Sequence, residues 1–299
     1  MRQSAWLSRA ARHLHHAGID TDRLDAELIL AHVLKVERLT LVTGPDRDLS
    51  SSDQARAQAM LQRRAGREPL AHLTGRREFW TLDLAVTPET LIPRPDSETL
   101  IEAVLAARPQ RDRPWRILDL GTGSGALILA LLSEYSNAHG TATDISAGAV
   151  AVAAANARAL KLAERLVLIA GDWTAALPAT ARYDILVCNP PYIAQDQIAA
   201  LMPEVRDFDP IDALAAGDDG LAAYRALAPD LARFAAPGAV LALEIGAWQA
   251  AAVGPLFRAQ GWQLARCAQD LGGRDRVMLF CSPQDQAATK TVGIADQAR

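Results

Sequence analysis

Residues 116–125 read Arg116-Ile117-Leu118-Asp119-Leu120-Gly121-Thr122-Gly123-Ser124-Gly125. A short apolar run ending in three closely spaced glycines marks a buried strand that turns sharply toward a helix. The helix follows at once, from Ala126 to Tyr135. Further along, Thr141 to Ile145 reads as a second strand and Ala147 to Leu162 as a second helix. Leu166 to Ala170 is a third strand and Asp184 to Cys188 a fourth. Helices fill 220–235, and Val240 to Ile245 is a fifth strand. Such alternation predicts a parallel sheet covered on both faces. The last two runs, Leu264 to Ala268 and Val277 to Cys281, have Gly272-Gly273 between them and no helix, so they are expected to pair antiparallel.

Upstream, residues 1–75 are rich in alanine and leucine. Apolar residues such as Leu24, Leu28 and Val33 recur at helical spacing, with Gly18 and Gly44-Pro45 as punctuation. An all-helical domain is expected there. At Glu78 the period changes to two: Trp80, Leu82, Leu84 and Val86 alternate with Thr81, Asp83 and Ala85, which predicts a half-buried strand. Pro88-Glu89-Thr90 breaks it and Leu91-Ile92 is a candidate return strand, giving a hairpin linker over 76–95. Asp96 is the expected N-cap of the next helix, with Glu98 in its first turn. The main domain then runs over 96–282, and the polar, non-periodic tail over 283–299 is expected to be mobile.

The bulk composition is that of an ordinary globular chain, with half of the 299 residues hydrophobic. A formal net charge of −4 argues against a dedicated DNA-binding protein, which shows a basic field. Three cysteines, Cys188, Cys267 and Cys281, lack metal-ligand spacing and make a poor disulfide framework. Cys188 and Cys281 sit in apolar runs and are expected to be buried thiols, which implies a reducing compartment. No stretch reads as a signal peptide or membrane span, so a cytoplasmic location is expected.

The glycine loop stands at a strand-to-helix turn, where doubly wound sheets bind ligands. Asp144 ends the next strand, placed to accept from ribose hydroxyls. Gly121, Gly123 and Ala126 also fit a dinucleotide fingerprint with an acid about 20 residues on. Gly125 comes one residue early for that fingerprint and favours S-adenosylmethionine over NAD. After the third strand, Asp172 can accept from an adenine amine and Trp173 can stack on the ring.

Asn189-Pro190-Pro191-Tyr192 directly follows the fourth strand. The prolines fix φ and remove two backbone donors, leaving a rigid turn rich in acceptors. A planar NH2 group needs such acceptors. The side-chain oxygen of Asn189 and the carbonyl of Pro190 can each take one hydrogen, and Tyr192 can lie against the substrate plane. An amide or aromatic amine nitrogen is a weak nucleophile whose lone pair is delocalised. A site can help it by alignment with reacting atoms about 3–3.5 Å apart, and by acceptors that stabilise the charge developing on nitrogen.

Asn-Pro-Pro-Tyr with this glycine loop is shared by amino-methyltransferases acting on adenine in DNA and on glutamine in proteins. Three further segments narrow the likeness: Glu68 to Gly75, Glu78-Phe79-Trp80, and Leu91-Ile92-Pro93-Arg94-Pro95-Asp96-Ser97-Glu98. With Gly171-Asp172-Trp173, they resemble the bacterial release factor glutamine methyltransferases, called PrmC or HemK. The resemblance runs to about Ser282. It implies a five-helix N-terminal domain, a β-hairpin linker and a class I S-adenosylmethionine-dependent methyltransferase domain, an α/β Rossmann-like fold with a seven-stranded sheet. It implies methylation of the glutamine in the Gly-Gly-Gln tip of class 1 peptide chain release factors. Carried over, Gly121, Thr122, Gly123, Ser124, Gly125, Asp144, Asp172, Trp173 and Asn189 bind the cofactor, and Asn189, Pro190, Pro191 and Tyr192 hold the glutamine. Catalysis falls to Asn189, Pro190 and Tyr192. Asp209-Pro210 departs from an expected Glu-Pro and leaves the role of that loop open.

Residues 1–75 carry none of the catalytic motifs, and recognition of the release factor is their expected task, with capping and stabilising the catalytic domain as the alternative. His13 and His16 share a helix face without a third ligand nearby, and read as a solvated face rather than a metal site. Arg63-Arg64, Arg67 and Arg76-Arg77 read as solvated charge, with contact to an acidic partner as the lesser reading. The chain is expected to act as a monomer without direct nucleic-acid contact. A glutamine methyltransferase for a large-subunit ribosomal protein and a DNA adenine methyltransferase are the alternatives. A non-catalytic scaffold has no use for Asn189 to Tyr192, and an NAD-dependent oxidoreductase would need hydride-handling residues that are not evident.

Overall fold

Helix-favouring residues carry the chain from Gln3 to Thr74 through five helices: α1 (Gln3–His16), α2 (Asp22–Leu34), α3 (Arg38–Thr43), α4 (Ser51–Ala65) and α5 (Leu70–Thr74). The helix α4 starts on a side-chain cap, with Ser50 Oγ accepting from the Asp53 N–H at 3.1 Å. The computed structural model describes residues 1–282, so the tail over 283–299 lies outside the described residues. Two compact units emerge: Met1–Arg76 together with Met202–Phe208, and Arg77–Leu201 continued from Asp209.

The helical unit has its own core, built around Trp6, Leu14, Ile29, Leu30 and Leu61. The apolar stripe of α2 differs from the sequence reading. Leu24 is 41% exposed, while Ala26, Ile29, Leu30 and Val33 face the core. Two acids on α2 are also buried, and each has arginine partners: Glu27 with Arg23 and Arg38, and Asp25 with Arg64. Arg64 and Arg67 both reach Glu204, at 3.1 and 2.8 Å, and Arg67 also donates to the Gly18 carbonyl. The expectation of solvated charge therefore fails at Arg64, which is buried, and at Arg67, which is half-buried. Their cationic groups hold the segment Met202–Phe208, including α9 (Pro203–Arg206), within the helical unit.

The alternating stretch near Trp80 is two strands, not one. β1 (Arg76–Phe79) and β2 (Leu82–Ala85) form a hairpin closed by Trp80 and Thr81. Trp80 has φ +57, a left-handed conformation that reverses the chain. Leu91-Ile92 is not a strand. Phe79 and Leu84 join the core of the larger unit. Trp80 donates from its backbone N–H to Glu98 and from its indole N–H to Glu134, at 2.8 and 2.7 Å.

The sheet strands are β3 (Arg116–Leu120), β4 (His139–Asp144), β5 (Leu166–Ala170), β6 (Tyr183–Cys188), β7 (Ala235–Glu244), β8 (Gln263–Gln269) and β9 (Asp275–Cys281). Their spatial order is β5-β4-β3-β6-β7-β9-β8. The first five strands in this order run parallel, β9 pairs antiparallel with β8 as expected, and it also pairs antiparallel with β7. Each central strand is apolar on both sides. Ile117, Ile185 and Val240 point to one core with α6 (Glu98–Ala107) and α7 (Ala126–Glu134). Leu118, Leu186 and Leu241 point to the other core, with α10 (Ala222–Phe234) and α11 (Ala250–Arg258). This period of two inside continuous apolar runs is the mark of a sheet buried on both faces. Helix α8 (Ala147–Ala159) follows β4.

Two smaller expectations are corrected. Asp96 is not the cap of α6. A 3-10 turn over Pro95–Ser97 precedes that helix, and Asp96 instead pairs with Arg276 at 3.1 Å. Cys188 is buried, but Cys281 is half-buried. No helix among the described residues is long and apolar enough to cross a membrane.

Candidate active site

The carboxyl ends of β3, β4 and β6 open into a cleft of about 640 Å³, within the range of small-molecule sites. Its floor is the turn from β3 into α7. Gly121 has φ +71, and a Cβ there would stand 3.3 Å from the Trp173 ring, so glycine is needed for both reasons. Gly123 has φ +55, and a Cβ there would meet nothing within 4 Å. The backbone is thus bare at the place where a ligand would approach it.

Asp144 is less free than the sequence reading allowed. Its Oδ2 accepts the Gly123 N–H at 2.8 Å and its Oδ1 accepts the Ser146 N–H at 2.9 Å. Each carboxylate oxygen keeps a second lone pair for a ligand hydroxyl. The same contacts fix the glycine loop to the end of β4. Behind it, Asp119 is fully buried and accepts from the Thr122 hydroxyl at 2.7 Å. Burial, with the Asp144 charge nearby, pushes its carboxyl up to about 7.

Gly121, Thr122, Gly123, Ser124, Asp144, Asp172, Trp173, Asn189 and Pro191 all line the cleft. Asp172 is exposed and Trp173 half-buried, the latter at a positive φ of 42°. Such strain in a non-glycine residue gathers at functional sites. Gly125, Pro190 and Tyr192 stand outside the lining. A Cβ at Gly125 would meet Leu129 and Ala153, so that glycine serves helix packing. Pro190 is buried, and Tyr192 packs against the core under β7. The Tyr192 carbonyl accepts from Gln249 Nε2 at 2.9 Å, which fixes the turn from below. Burial, reinforced by the Glu244 charge, raises the Tyr192 phenol above its usual value, so it stays protonated.

Asn189 emerges from β6 with its Nδ2 donating to the Ser97 hydroxyl at 3.2 Å. The amide is oriented so that its oxygen is the group left for a ligand. The arrangement offers an acceptor to an N–H donor.

The family model described as the PrmC N-terminal domain matches residues 5–75, and the methyltransferase small domain matches residues 96–204. The release factor glutamine methyltransferase of Caulobacter vibrioides is 45% identical over 92% of this chain and 94% of its own. That of Cereibacter sphaeroides is 45% identical over 93% of this chain and 98% of its own. The chain belongs to the release factor glutamine methyltransferase family. A 16S rRNA methyltransferase of T. thermophilus, solved with AdoMet and guanosine, shares the fold. It has a TM-score of 0.52 at 21% identity, covering 69% of this chain and 49% of its own.

The far wall of the cleft carries residues to which the sequence reading gave no site role. Pro210, Asp212, Ala213, Ala215, Ala216 and Gly217 line it, from the loop whose role stood open at Asp209-Pro210. Asp209 is buried and accepts from the Arg94 guanidinium and from the Ile92 N–H. It joins the Leu91-to-Glu98 segment to the loop, closing the cleft on that side. The loop returns beside the Asn-Pro-Pro-Tyr turn through a bridge between Ile193 and Ala215. The strict Ile-Pro-Arg-Pro spelling around Arg94 was the available signal, but its acidic partner lies 115 residues away. Glu89, Thr90, Ile145 and Ser146 also line the cleft and went unmarked.

Proposed function

We propose that this protein transfers a methyl group from S-adenosylmethionine to the side-chain amide nitrogen of the glutamine in the Gly-Gly-Gln motif of class 1 peptide chain release factors, supporting translation termination. The observation that carries this reading is Asn189, held at the end of β6 with its nitrogen committed to Ser97 and its oxygen left as an acceptor.

The cleft suits the cofactor. Gly123 presents bare backbone at positive φ, and each Asp144 oxygen retains one acceptor site. Gly121 to Ser124, Asp144, Asp172 and Trp173 would hold it, with Trp173 as the aromatic surface and Asp172 as an acceptor. When bound, S-adenosylmethionine supplies a methyl on a sulfonium, an electrophile that needs no further activation. The chain's part is to hold a weak nucleophile still. Asn189 Oδ1 and the Pro190 carbonyl accept the two amide hydrogens, turning the π face of the nitrogen toward the cofactor. They also stabilise the positive charge that grows on nitrogen. Tyr192, protonated and packed against the core outside the cleft lining, fixes the turn and does not act as a base. The prolines keep the turn from relaxing. The protein acts as a cytoplasmic monomer on another protein, and its net charge of −4 is in keeping with that.

The test is a radiolabelled methyl-transfer assay with release factor, large-subunit ribosomal protein and unmethylated DNA offered side by side. Label is expected on the glutamine of the release factor. Label on the ribosomal protein or the DNA in its place would overturn the reading.

A further inference from the structure

Pro190 and Pro191 have no N–H, so neither can fasten the Asn-Pro-Pro-Tyr turn by a backbone donor of its own. Donors must come from outside the turn, and Gln249 supplies one to its backbone. Gln249 stands between the end of β7 and the first residue of α11. Its Nε2 donates to the Tyr192 carbonyl at 2.9 Å and to the Gly220 carbonyl at 3.1 Å. Its Oε1 accepts the Gly246 N–H at 2.9 Å. Both amide hydrogens thus meet atoms that can only accept, and the oxygen meets a group that can only donate, so the amide has one orientation. The two carbonyls belong to two segments of the cleft. Tyr192 ends the turn whose Asn189 and Pro191 line it, and Gly220 lies between the lining residues Gly217 and Ala222. Gly220 has φ +72, and a Cβ there would stand 2.6 Å from the Tyr192 carbonyl oxygen and 2.9 Å from Gln249 Nε2. Glycine alone permits so close an approach at that φ.

We propose that the Gln249 amide clamps the Asn189-to-Tyr192 turn to the Gly217-to-Ala222 segment, and so is a positioning residue for the methyl-accepting nitrogen. The proposal rests on the glutamine methyltransferase reading and deepens it. Pro191 separates the Tyr192 carbonyl from the Pro190 carbonyl, and its φ is fixed by its ring. A shift at Tyr192 is therefore passed on to the Pro190 acceptor more than it is absorbed between them. Transfer to a weakly nucleophilic amide depends on near-attack alignment, and a misplacement of about 1 Å can cost about 10²-fold. The groups placed around the cofactor, Gly121 to Ser124, Asp144, Asp172 and Trp173, follow β3, β4 and β5. The Gln249 hydrogen bonds go instead to the segments that follow β6 and β7 and to the one that leads into α10. Loss of the clamp should therefore fall on methyl transfer and spare cofactor affinity.

The experiment is single-turnover methylation of intact release factor by the full chain, with calorimetric binding of S-adenosylmethionine, for Gln249→Glu, Gly220→Ala and the double variant. Gln249→Glu keeps the side-chain length and the acceptor for the Gly246 N–H. At about pH 8.5 its carboxyl is ionised and cannot donate to either carbonyl. Gly220→Ala keeps the amide and forces the two carbonyl-bearing segments apart. Each single variant should lower the transfer rate about 10- to 100-fold, with the Kd for S-adenosylmethionine nearly unchanged. The double variant should lose no more than the worse single one, because both act on one clamp. A wild-type rate in Gln249→Glu overturns the proposal, since it would leave Gln249 only the task of holding Gly246. Cofactor affinity that falls in step with the rate also overturns it, since the amide would then hold the cleft as a whole. If Gln249→Glu does not fold, Gly220→Ala decides on the same two measurements. Inactivity of the wild type on release factor would overturn the functional reading instead, so the two failures are distinguishable.

Discussion

Asp119 is the penultimate residue of β3 and Asn189 the first residue after β6, and they carry opposite kinds of sensitivity. Asn189 contributes one positioned acceptor. Replacing it by alanine should lower single-turnover methylation on the order of 10²–10³-fold, while S-adenosylmethionine affinity changes far less. Near-normal turnover in that variant would remove Asn189 from the mechanism. Asp119 is a matter of stability. Its carboxyl is raised from 3.8 to about 7, first by burial. The native state therefore holds the proton more tightly than the unfolded chain. That contribution is complete below about pH 4 and is lost as pH rises to about 7. The size is about 4 kcal/mol at most. Asp119→Asn cannot ionise, so its melting temperature should fall less than the wild type's between those limits. Glu244 titrates in the same window and remains in both proteins, so the difference isolates Asp119. Equal slopes would show that Asp119 is not raised. Gly121, Gly123, Asp144, Trp173 and Asn189 could be marked as candidates because of their residue types, and the structure brings them together in one cleft. Asp119 and Ser97 could not, because their places come from burial and from partners on other elements.

Elements were legible where one period held over a whole segment. The seven sheet strands and most of their helices fall where the apolar runs and glycines place them. Helix α11 was missed because Gly254 and Pro255 interrupt it, both poor helix formers. The hairpin was misread as one strand because its turn needs Trp80 in a left-handed conformation, which nothing in a tryptophan announces. The hairpin's attachment was equally hidden. Asn156 of α8 donates to the carbonyls of Ala85 and Ser124 and accepts the Ala85 N–H at 2.7 Å. One side chain thus ties β2 to the glycine loop. Asn156→Ala would leave three backbone groups without their partner. The cost should be about 1–3 kcal/mol for each group that stays dry, seen as a lower urea midpoint and as weakened S-adenosylmethionine binding. An unchanged midpoint would mean that water replaces the side chain.

Across the whole molecule, a ligand that binds the folded chain and not the unfolded one raises its melting temperature by mass action. S-adenosylmethionine and S-adenosylhomocysteine should do so, and NAD should not. Asp144→Ala should shrink the shift, since it removes both the ribose acceptor and the tether on Gly123. Stabilisation by NAD alone would return the dinucleotide reading of the glycine loop. The division into units was partly visible in the change of period near Glu78. The inclusion of Met202–Phe208 with the helices was not, because Glu204 has no local feature that names Arg64 as its partner.

That detour has a consequence for how the protein is made. Arg64 leaves the ribosome 140 residues before Glu204 does. At about 5–20 residues per second, the interval is roughly 7 to 28 s. During it the first five helices exist as a nascent chain in which Arg64 has Asp25 and neither Arg64 nor Arg67 has Glu204. The last ion pairs of the first-made unit therefore close only after the strands over 116–188 have been synthesised. Completion of the N-terminal unit is thus timed by translation of the middle of the chain.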